Sequence, residues 1–151
     1  MARSRQAAVD ELGTAMQRYQ RSVQAFDDAV GRALGLGPAD LRCLDVLVEG
    51  PLSAGDLSTA TGLRPAATTT LIDRLADRGL VRRTPSPTDR RKVLVELTPE
   101  GMQRTWELYG PMVQEGQQAL ASFTIAELDR MRALLEVFTE VTDRHRAQVP
   151  S

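Results

Sequence analysis

Residues 82–97 read RRTPSPTDRRKVLVEL, and this stretch decides the fold. Two runs of strand-forming residues, Leu80–Thr84 and Lys92–Leu97, flank a segment rich in proline, serine, threonine and aspartate. The second run alternates between two faces, and a turn-rich segment between two such runs predicts a β-hairpin. One carboxylate, Asp89, directly precedes the three cations Arg90, Arg91 and Lys92. The sequence therefore predicts a hairpin with a basic tip.

Two short helices joined by a tight turn are predicted upstream of the hairpin. Ser53 lies three residues before Asp56, so its hydroxyl can accept a backbone N–H at a helix start, where the carboxylate is also favoured. Residues 61–64 include a glycine and form the turn, and Pro65 suits the first position of the second helix. Gly79 ends that helix at a position where glycine is favoured. This spacing is typical of a helix-turn-helix.

The second of these helices presents two faces of different chemistry. Its apolar stripe comprises Leu71, Ile72 and Leu75. The opposite face carries Ala66, Thr69, Thr70 and Asp73. Helix, turn, helix and hairpin is the element order of a winged helix-turn-helix. In that fold, short side chains on the second helix approach base edges in the major groove, and arginines at the hairpin tip reach the adjacent minor groove and phosphates.

Long helices are predicted at both ends of the chain. Near the N-terminus, apolar residues recur at alternating spacings of three and four: Val9, Leu12, Met16, Tyr19, Val23, Phe26 and Val30. A capping box at Thr124–Glu127 opens the last helix, which repeats the pattern with Leu128, Met131, Leu135 and Phe138. A small winged domain cannot bury two such seams alone, so we expect a homodimer. The predicted ranges are 5–34 for an N-terminal dimerisation helix, 38–98 for the winged helix-turn-helix, and 99–147 for C-terminal helices that complete the dimerisation region.

Two further helices connect these parts. Gly35–Pro38 ends the first helix, and a helix over Ala39–Val48 follows, with an apolar face of Leu41, Leu44, Leu47 and Val48. A helix is predicted to begin at Thr98–Pro99, after the hairpin. Gly110–Pro111 is predicted to bend or break this helix. The predicted fold class is therefore mainly α with a small β-hairpin wing and long terminal dimerisation helices.

Charge is unevenly distributed along the 151 residues, whose net charge is −1. Residues 64–92 hold eight cations and three anions, a net charge of +5, so the remainder carries −6. A basic middle between acidic flanks indicates a localised site for a polyanion, although a solvated surface gives the same count. The aromatic content of 4% argues against a protein that stacks on single-stranded bases.

Several classes of protein are disfavoured by composition. A single cysteine and a single histidine give neither an internal disulfide nor metal-ligand spacing, so we expect no metal and no cofactor. No nucleophile motif or glycine-rich phosphate loop is present, so we expect no enzyme. No apolar run approaches the roughly 18 residues of a membrane span, and the start lacks an apolar signal region. The predicted location is the cytoplasm.

The motifs resemble those of the MarR family of multiple antibiotic resistance regulators. They are Gly50–Ser53 with Asp56-Leu57, then Asp73-Arg74-Leu75, Gly79–Arg83, Asp89-Arg90-Arg91 and Leu97–Gly101. Together, at these spacings, they are specific, and the flanking helices match the family's dimerisation region. The resemblance implies a homodimeric, usually repressing transcription factor that loses DNA affinity on binding a small phenolic or lipophilic ligand, or on oxidation. A two-fold dimer reads two half-sites, so we expect a pseudo-palindromic double-stranded operator.

The resemblance also implies roles for individual residues. The implied DNA-binding set is Arg64, Ala66, Thr69, Thr70, Arg74, Asp89, Arg90 and Arg91. Asp89 would hold Arg91 by an ion pair so that the arginine enters the minor groove preformed, and Arg74 would contact a phosphate. Structural interpretations remain open, because Asp89 is also suited to an Asx-turn and Arg74 to a pair with Asp77 on its own helix.

Two hypotheses concern regulation, and one concerns an alternative function. An effector pocket between the dimerisation helices and the winged domain would be lined by Met16, Tyr19, Trp106, Tyr109 and Met112, unless these residues belong to the core or the dimer seam. Oxidation of the Cys43 thiol would make the chain a redox sensor. Because the chain has no second cysteine to form a disulfide with Cys43, a packing role is favoured. The alternative function is a protein-interaction module without DNA binding, which has no need of the +5 segment.

Overall fold

The computed structural model describes residues 4–89 and 91–149. Within them the helices are α1 (Arg5–Leu34), α2 (Pro38–Leu47), α3 (Ala54–Thr61), α4 (Pro65–Asp77), α5 (Pro99–Ala119) and α6 (Ile125–Arg146). The strands are β1 (Leu52–Ser53), β2 (Val81–Pro85) and β3 (Val93–Leu97). The chain divides into two compact units, Met1–Leu108 and Tyr109–Ser151. The fold class, mainly α with a small β wing, is confirmed, and the functional ranges assigned from the sequence remain predictions.

α1 ends in a tight corner that leads into α2. The N–H of Leu36 donates to the carbonyl of Gly31 at 2.8 Å, and the N–H of Gly35 donates to the carbonyl of Arg32 at 3.3 Å. These are the two bonds of a Schellman motif. Gly35 has a φ of 65°, and a Cβ on Gly31 would lie 2.8 Å from the Leu36 oxygen. Glycine is therefore required at both positions, and the predicted end of the first helix is confirmed.

α3 and α4 form the predicted helix-turn-helix. The N–H of Asp56 donates to the Ser53 hydroxyl at 3.1 Å, and the Asp56 carboxylate accepts the N–H of Ser53 at 3.3 Å. Gly62 makes the turn with a φ of 71°. The hydroxyl of Ser58 crosses the turn and donates to the carbonyl of Leu63 at 2.6 Å. These bonds fix the start of α4 relative to α3.

The core of the first unit involves α2, α3, α4 and the sheet. Its buried side chains are Leu36, Cys43, Leu44, Leu47, Leu57, Leu71, Ile72, Leu75, Leu80, Val81 and Val95. The predicted apolar stripe of α4 and the packing role of Cys43 are thereby confirmed. The assignment of Val48 to the apolar face of α2 was wrong, since Val48 is 58% exposed. α2 ends at Leu47, and Val48, its C-cap residue, lies about 100° round the helix from Leu47, at the edge of the buried face.

The sheet has the strand order β1-β3-β2 with antiparallel neighbours. β2 and β3 form the predicted hairpin, which closes where Pro85 lies opposite Val93. Both strands begin one residue later than predicted. β1 was not predicted, because it is a two-residue strand whose Leu52 pairs with the distant Val95.

The first turn of α5 packs directly on the backbone at Leu80. The Thr98 hydroxyl donates to the carbonyl of Gly79 at 2.5 Å and accepts the N–H of Gly101 at 2.9 Å. A Cβ on Gly101 would overlap the Leu80 carbonyl oxygen and lie 2.9 Å from its carbonyl carbon. This close approach requires glycine at position 101.

α5 and α6 differ in one respect from prediction. α5 continues past Gly110 and Pro111, so the helix is not broken there, and a bend at this point stays a prediction. Proline removes a single backbone donor, and the helix continues on the bonds at either side. α6 begins with the predicted capping box, in which hydrogen bonds from the backbone and hydroxyl of Thr124 lower the pKa of Glu127. None of the helices in the described residues combines the length and apolar character needed to span a bilayer.

Candidate nucleic-acid interface

The outward face of α4 carries short side chains. Ala66, Thr69, Thr70 and Asp73 are all exposed, as predicted. The hydroxyls of Thr69 and Thr70 donate to the carbonyls four residues earlier, each at 3.1 Å. Because each hydroxyl proton is used inside the helix, each of these threonines offers a methyl group and an acceptor oxygen. This face allows close approach of another surface.

Asp89 shapes the wing tip, which we define as residues 86–92. Its carboxylate accepts the backbone N–H of Arg91 at 3.0 Å and lies 3.5 Å from the Nε of the same arginine. The N–H of Lys92 donates to the Asp89 carbonyl at 2.9 Å. Both sequence interpretations of Asp89 are therefore seen together, the Asx-turn hydrogen bond and the ion pair with Arg91.

A serine that the sequence did not single out supports the same tip. Ser86 is only 6% exposed, although it lies at the end of a hairpin. Its hydroxyl oxygen is 3.3 Å from the N–H of Thr88 and 3.4 Å from the N–H of Asp89. Its own N–H donates to the carbonyl of Lys92 at 2.8 Å, which closes the tip. A serine between two prolines gives no sequence signal for such burial.

The exposed cations lie at the two ends of the candidate interface. The side chain of Arg91 is 93% exposed, and its terminal nitrogens remain available when Nε faces a carboxylate. Lys92 beside it is also exposed. Arg64 is exposed at the N-cap of α4. Arg90 lies outside the described residues, so its role stays a prediction.

Other arginines of the basic segment are engaged within the protein. Arg82 donates to Glu96, directly opposite it in the hairpin, at 2.6 Å. Arg83 donates to Asp73 at 2.6 Å and so connects β2 to the outward face of α4. Asp73 is already counted in the net charge of +5, but Glu96 lies outside residues 64–92, so its pairing with Arg82 lowers the charge that is available to a polyanion.

Arg74 forms an ion pair with Asp40 of α2. Asp40 is 4% exposed, and its other carboxylate oxygen accepts the N–H of Gly37 at 2.8 Å. The interpretation that pairs Arg74 with Asp77 was wrong, because a buried carboxylate requires a compensating cation more than an exposed one does. The Arg74 side chain is still 51% exposed, so part of it remains at the surface.

Arg78, which was predicted from the sequence only as one of the cations of residues 64–92, reaches back to the end of α1. Its Nη1 donates to the carbonyl of Gly35 at 2.6 Å, and its Nη2 donates to the carbonyl of Leu34. The Schellman bonds leave these two carbonyls without helix partners, and a cation is favoured at a helix C-terminus. The only sequence signal was a basic residue in the last turn of a helix, which does not identify a partner 43 residues away.

The thiol of Cys43 is poorly suited to redox sensing. Cys43 has no exposed surface. Burial, and secondarily the Asp40 carboxylate, raise the pKa of Cys43 to about 12. Because the thiolate is the reactive form, these surroundings argue against the redox hypothesis.

The five predicted effector residues fall in both units. Met16, Tyr19 and Trp106 belong to the first unit, and Tyr109 and Met112 belong to the second. Tyr19 is 70% exposed, Trp106 50% and Met112 44%. These three side chains are therefore not part of the core, and the pocket and dimer-seam interpretations remain for them.

Comparison with known proteins identifies relatives. Residues 34–92 match the model of the MarR family. Over 120 residues the chain is 34% identical to the uncharacterised HTH-type transcriptional regulator YcgE of Bacillus subtilis, covering 77% of this chain and 78% of YcgE. It is 46% identical over 53 residues to the HTH-type transcriptional repressor NicR of Pseudomonas putida, covering 35% of this chain and 34% of NicR. A MarR family protein of Bacillus stearothermophilus, 24% identical, shares the fold with a TM-score of 0.66 over 92% of this chain and 99% of that one.

Proposed function

The chain belongs to the MarR family of transcriptional regulators, and from that premise we propose that it is a homodimeric repressor of a pseudo-palindromic operator, released from DNA by a small-molecule effector. Membership makes it a DNA-binding regulator and not an enzyme. The repressing role is supported by the similarity to NicR, which is named a repressor. The remaining elements of the proposal rest on the residues of the interface.

The exposed guanidinium of Arg91, whose Nε lies 3.5 Å from the Asp89 carboxylate, is the observation that carries the DNA-binding proposal. An arginine entering a narrow minor groove is favoured by the focused negative potential there. Ordering a long side chain on binding costs conformational entropy. At the wing tip the carboxylate of Asp89 already restrains the backbone and Nε of Arg91, so we expect less of this cost on binding.

α4 is the proposed recognition helix. Ala66, Thr69 and Thr70 are short enough for the helix backbone to enter the major groove. Because the hydroxyl protons of both threonines are used inside the helix, we expect contacts with thymine methyl groups and with the amino groups of adenine or cytosine. Arg64, at the start of α4, is proposed to contact a phosphate or a base near the helix N-terminus. Arg74 is proposed to contact a phosphate through the exposed part of its side chain.

The effector part of the proposal rests on the family resemblance. Met16, Tyr19, Trp106, Tyr109 and Met112 are the proposed lining residues, with a phenolic or lipophilic molecule as the ligand. Trp106 is the only tryptophan of the chain, so its fluorescence reports on this position alone. Salicylate, a simple phenolic acid, should change this fluorescence saturably and lower DNA affinity over the same concentration range. A fluorescence change with no effect on DNA binding would contradict an effector role.

DNA binding is tested by selecting bound sequences from a random duplex pool and titrating the selected duplex at two salt concentrations. The selected sequences should show two inverted half-sites about one helical turn apart, ~10 base pairs centre to centre. Arg91→Ala should lose on the order of 1–3 kcal/mol of binding free energy. Arg130→Ala, which removes the same charge from α6, should have little effect. Selection of one asymmetric half-site, or equal losses for both variants, would contradict the proposed geometry.

A further inference from the structure

Two arginines, one in α4 and one directly after it, are anchored to one short segment, the α1–α2 corner, which we define as residues 34–40. Arg74 pairs with the buried Asp40 at one end of this segment. Arg78, the C-cap residue of α4, donates to the carbonyls of Leu34 and Gly35 at the other end. Two attachments along one helix restrict its rotation as well as its position.

The corner is itself hydrogen-bonded to the end of α1 and to the start of α2. The two Schellman bonds fold the chain at Gly35 back on the last turn of α1. Asp40 accepts the N–H of Gly37 at 2.8 Å, so the carboxylate that binds Arg74 also fixes the start of α2. Leu36, inside the corner, is 8% exposed. A change in the direction of α1 is therefore passed to the partners of Arg74 and Arg78.

We infer that Arg78, together with Arg74, is a positioning residue that couples the direction of α1 to the orientation of α4, and thereby sets the half-site spacing that the dimer accepts. The inference rests on the proposed function, in which α1 belongs to the dimer interface and α4 reads DNA. In a two-fold dimer the distance between two recognition helices depends on how each is held relative to the interface. Neither arginine needs to touch a base for this effect.

Arg78 is the better residue to test, because its guanidinium is occupied by backbone carbonyls, whereas Arg74 also belongs to the proposed DNA-contacting set. Arg78→Met keeps a long aliphatic side chain and removes every donor. Arg78→Lys keeps the charge but lacks the fork that binds two carbonyls at once. Arg130→Met on α6 is the matched control for loss of a surface arginine.

The experiment measures dissociation constants of the full chain for three duplexes: the selected operator, the same operator with two base pairs inserted between its half-sites, and a single half-site. The insertion rotates the half-sites by roughly 70° relative to each other. For the parent and Arg130→Met, we expect the insertion to weaken binding by about 30-fold, because simultaneous engagement is lost. For Arg78→Met, we expect the insertion to weaken binding by less than about threefold. The affinity of this variant for the single half-site should lie within about threefold of that of the parent.

The outcomes separate this inference from the proposed function. If the parent binds the operator with strong spacing dependence and Arg78→Met shows the same dependence, the inference is overturned and the function stands. The inference also fails, and the function again stands, if Arg78→Met loses equal affinity for the operator and for the single half-site, since Arg78 would then act at the DNA surface. If Arg78→Met does not fold, Arg78→Lys is used and should show an intermediate spacing dependence. A parent that binds no selected duplex overturns the inference together with the function.

Discussion

A single carboxylate, Asp89, has opposite effects on the charge and on the shape of the wing tip. Its negative charge lowers the positive potential that attracts DNA, yet it accepts the N–H of Arg91 and faces the Nε of that residue. Long-range electrostatics and local geometry therefore predict opposite results for its removal. Replacement of Asp89 therefore tests whether the wing tip binds DNA through a positioned Arg91 or only through its positive charge.

Asp89→Ala is expected to weaken binding to the selected duplex about tenfold, roughly the worth of a hydrogen bond to a charged group. Asp77→Ala removes the same charge from the last turn of α4 and should bind DNA as tightly as the parent or slightly more tightly. Titrations of the three proteins at two salt concentrations provide the comparison. If Asp89→Ala behaves like Asp77→Ala, Asp89 is only a turn residue.

Asp45 illustrates an unfavourable charge near the end of α2. Partial burial, and then the neighbouring carboxylates of Asp27 and Glu49, raise the pKa of Asp45. A raised pKa means that the folded state holds the proton more tightly than the unfolded state, so the ionised form costs stability. This cost is present at neutral pH and disappears as the pH falls through the folded-state pKa.

Asp45→Asn should therefore raise the free energy of unfolding at pH 7 by no more than about 0.5 kcal/mol, because the group is largely solvent-screened, and thermal unfolding should show a correspondingly higher midpoint. The gain should shrink as the pH falls through the raised pKa of Asp45, because the parent carboxyl then becomes protonated. Asp77→Asn serves as the exposed control and should show no comparable gain. A gain that grows on acidification would contradict the assigned sign.

At the scale of helices and strands, the sequence predicted what local chemistry determines. Ser53 and Thr124 were identified as caps, and Pro65 and Gly79 as the ends of α4, because each acts on backbone groups a few residues away. What escaped prediction depends on distant partners. β1 exists only through its pairing with β3, and the partners of Arg74 and Arg78 lie 34 to 44 residues away.

The start of α5 provides a test of one such distant contact. Gly101→Ala should destabilise the protein by about 1–3 kcal/mol or more, because the new methyl group meets the backbone of Leu80. Gly116→Ala, in the same helix with nothing within 4 Å of its Cβ position, should instead stabilise by roughly 0.5–1 kcal/mol. Denaturant unfolding of both variants measures the difference. Equal effects would show that helix propensity alone governs both positions.

At the scale of the whole molecule, the terminal helices leave much apolar surface uncovered in a single chain. Leu135 is 60% exposed on α6, and Tyr19 is 70% exposed on α1. The sequence identified these seams by their spacing of three and four. A sequence pattern does not identify the surface that packs against these seams. Burial of the seams by a second copy of the chain remains a proposal.

Light scattering at micromolar concentration should therefore give twice the chain mass of 16.6 kDa. Leu135→Glu should shift the mass towards the monomer, because it places a charge in the proposed seam. Val137→Glu introduces the same charge at a position 56% exposed in the single chain but about 200° round the helix from Leu135, and should stay dimeric. A parent of monomer mass would remove the basis for assigning either seam to an interface.

The reach of Arg78 to Leu34 and Gly35 also limits how the chain can be divided. The winged domain predicted from the sequence begins at residue 38, yet Arg78, directly after the proposed recognition helix α4, donates to carbonyls that come before that point. A fragment starting at Pro38 would lose those acceptors together with the buried side chains of Val30 and Leu36. We therefore expect that the predicted winged domain does not fold as an autonomous module, and that an exchange of operator specificity between two such regulators has to join the chains inside α1, before Val30.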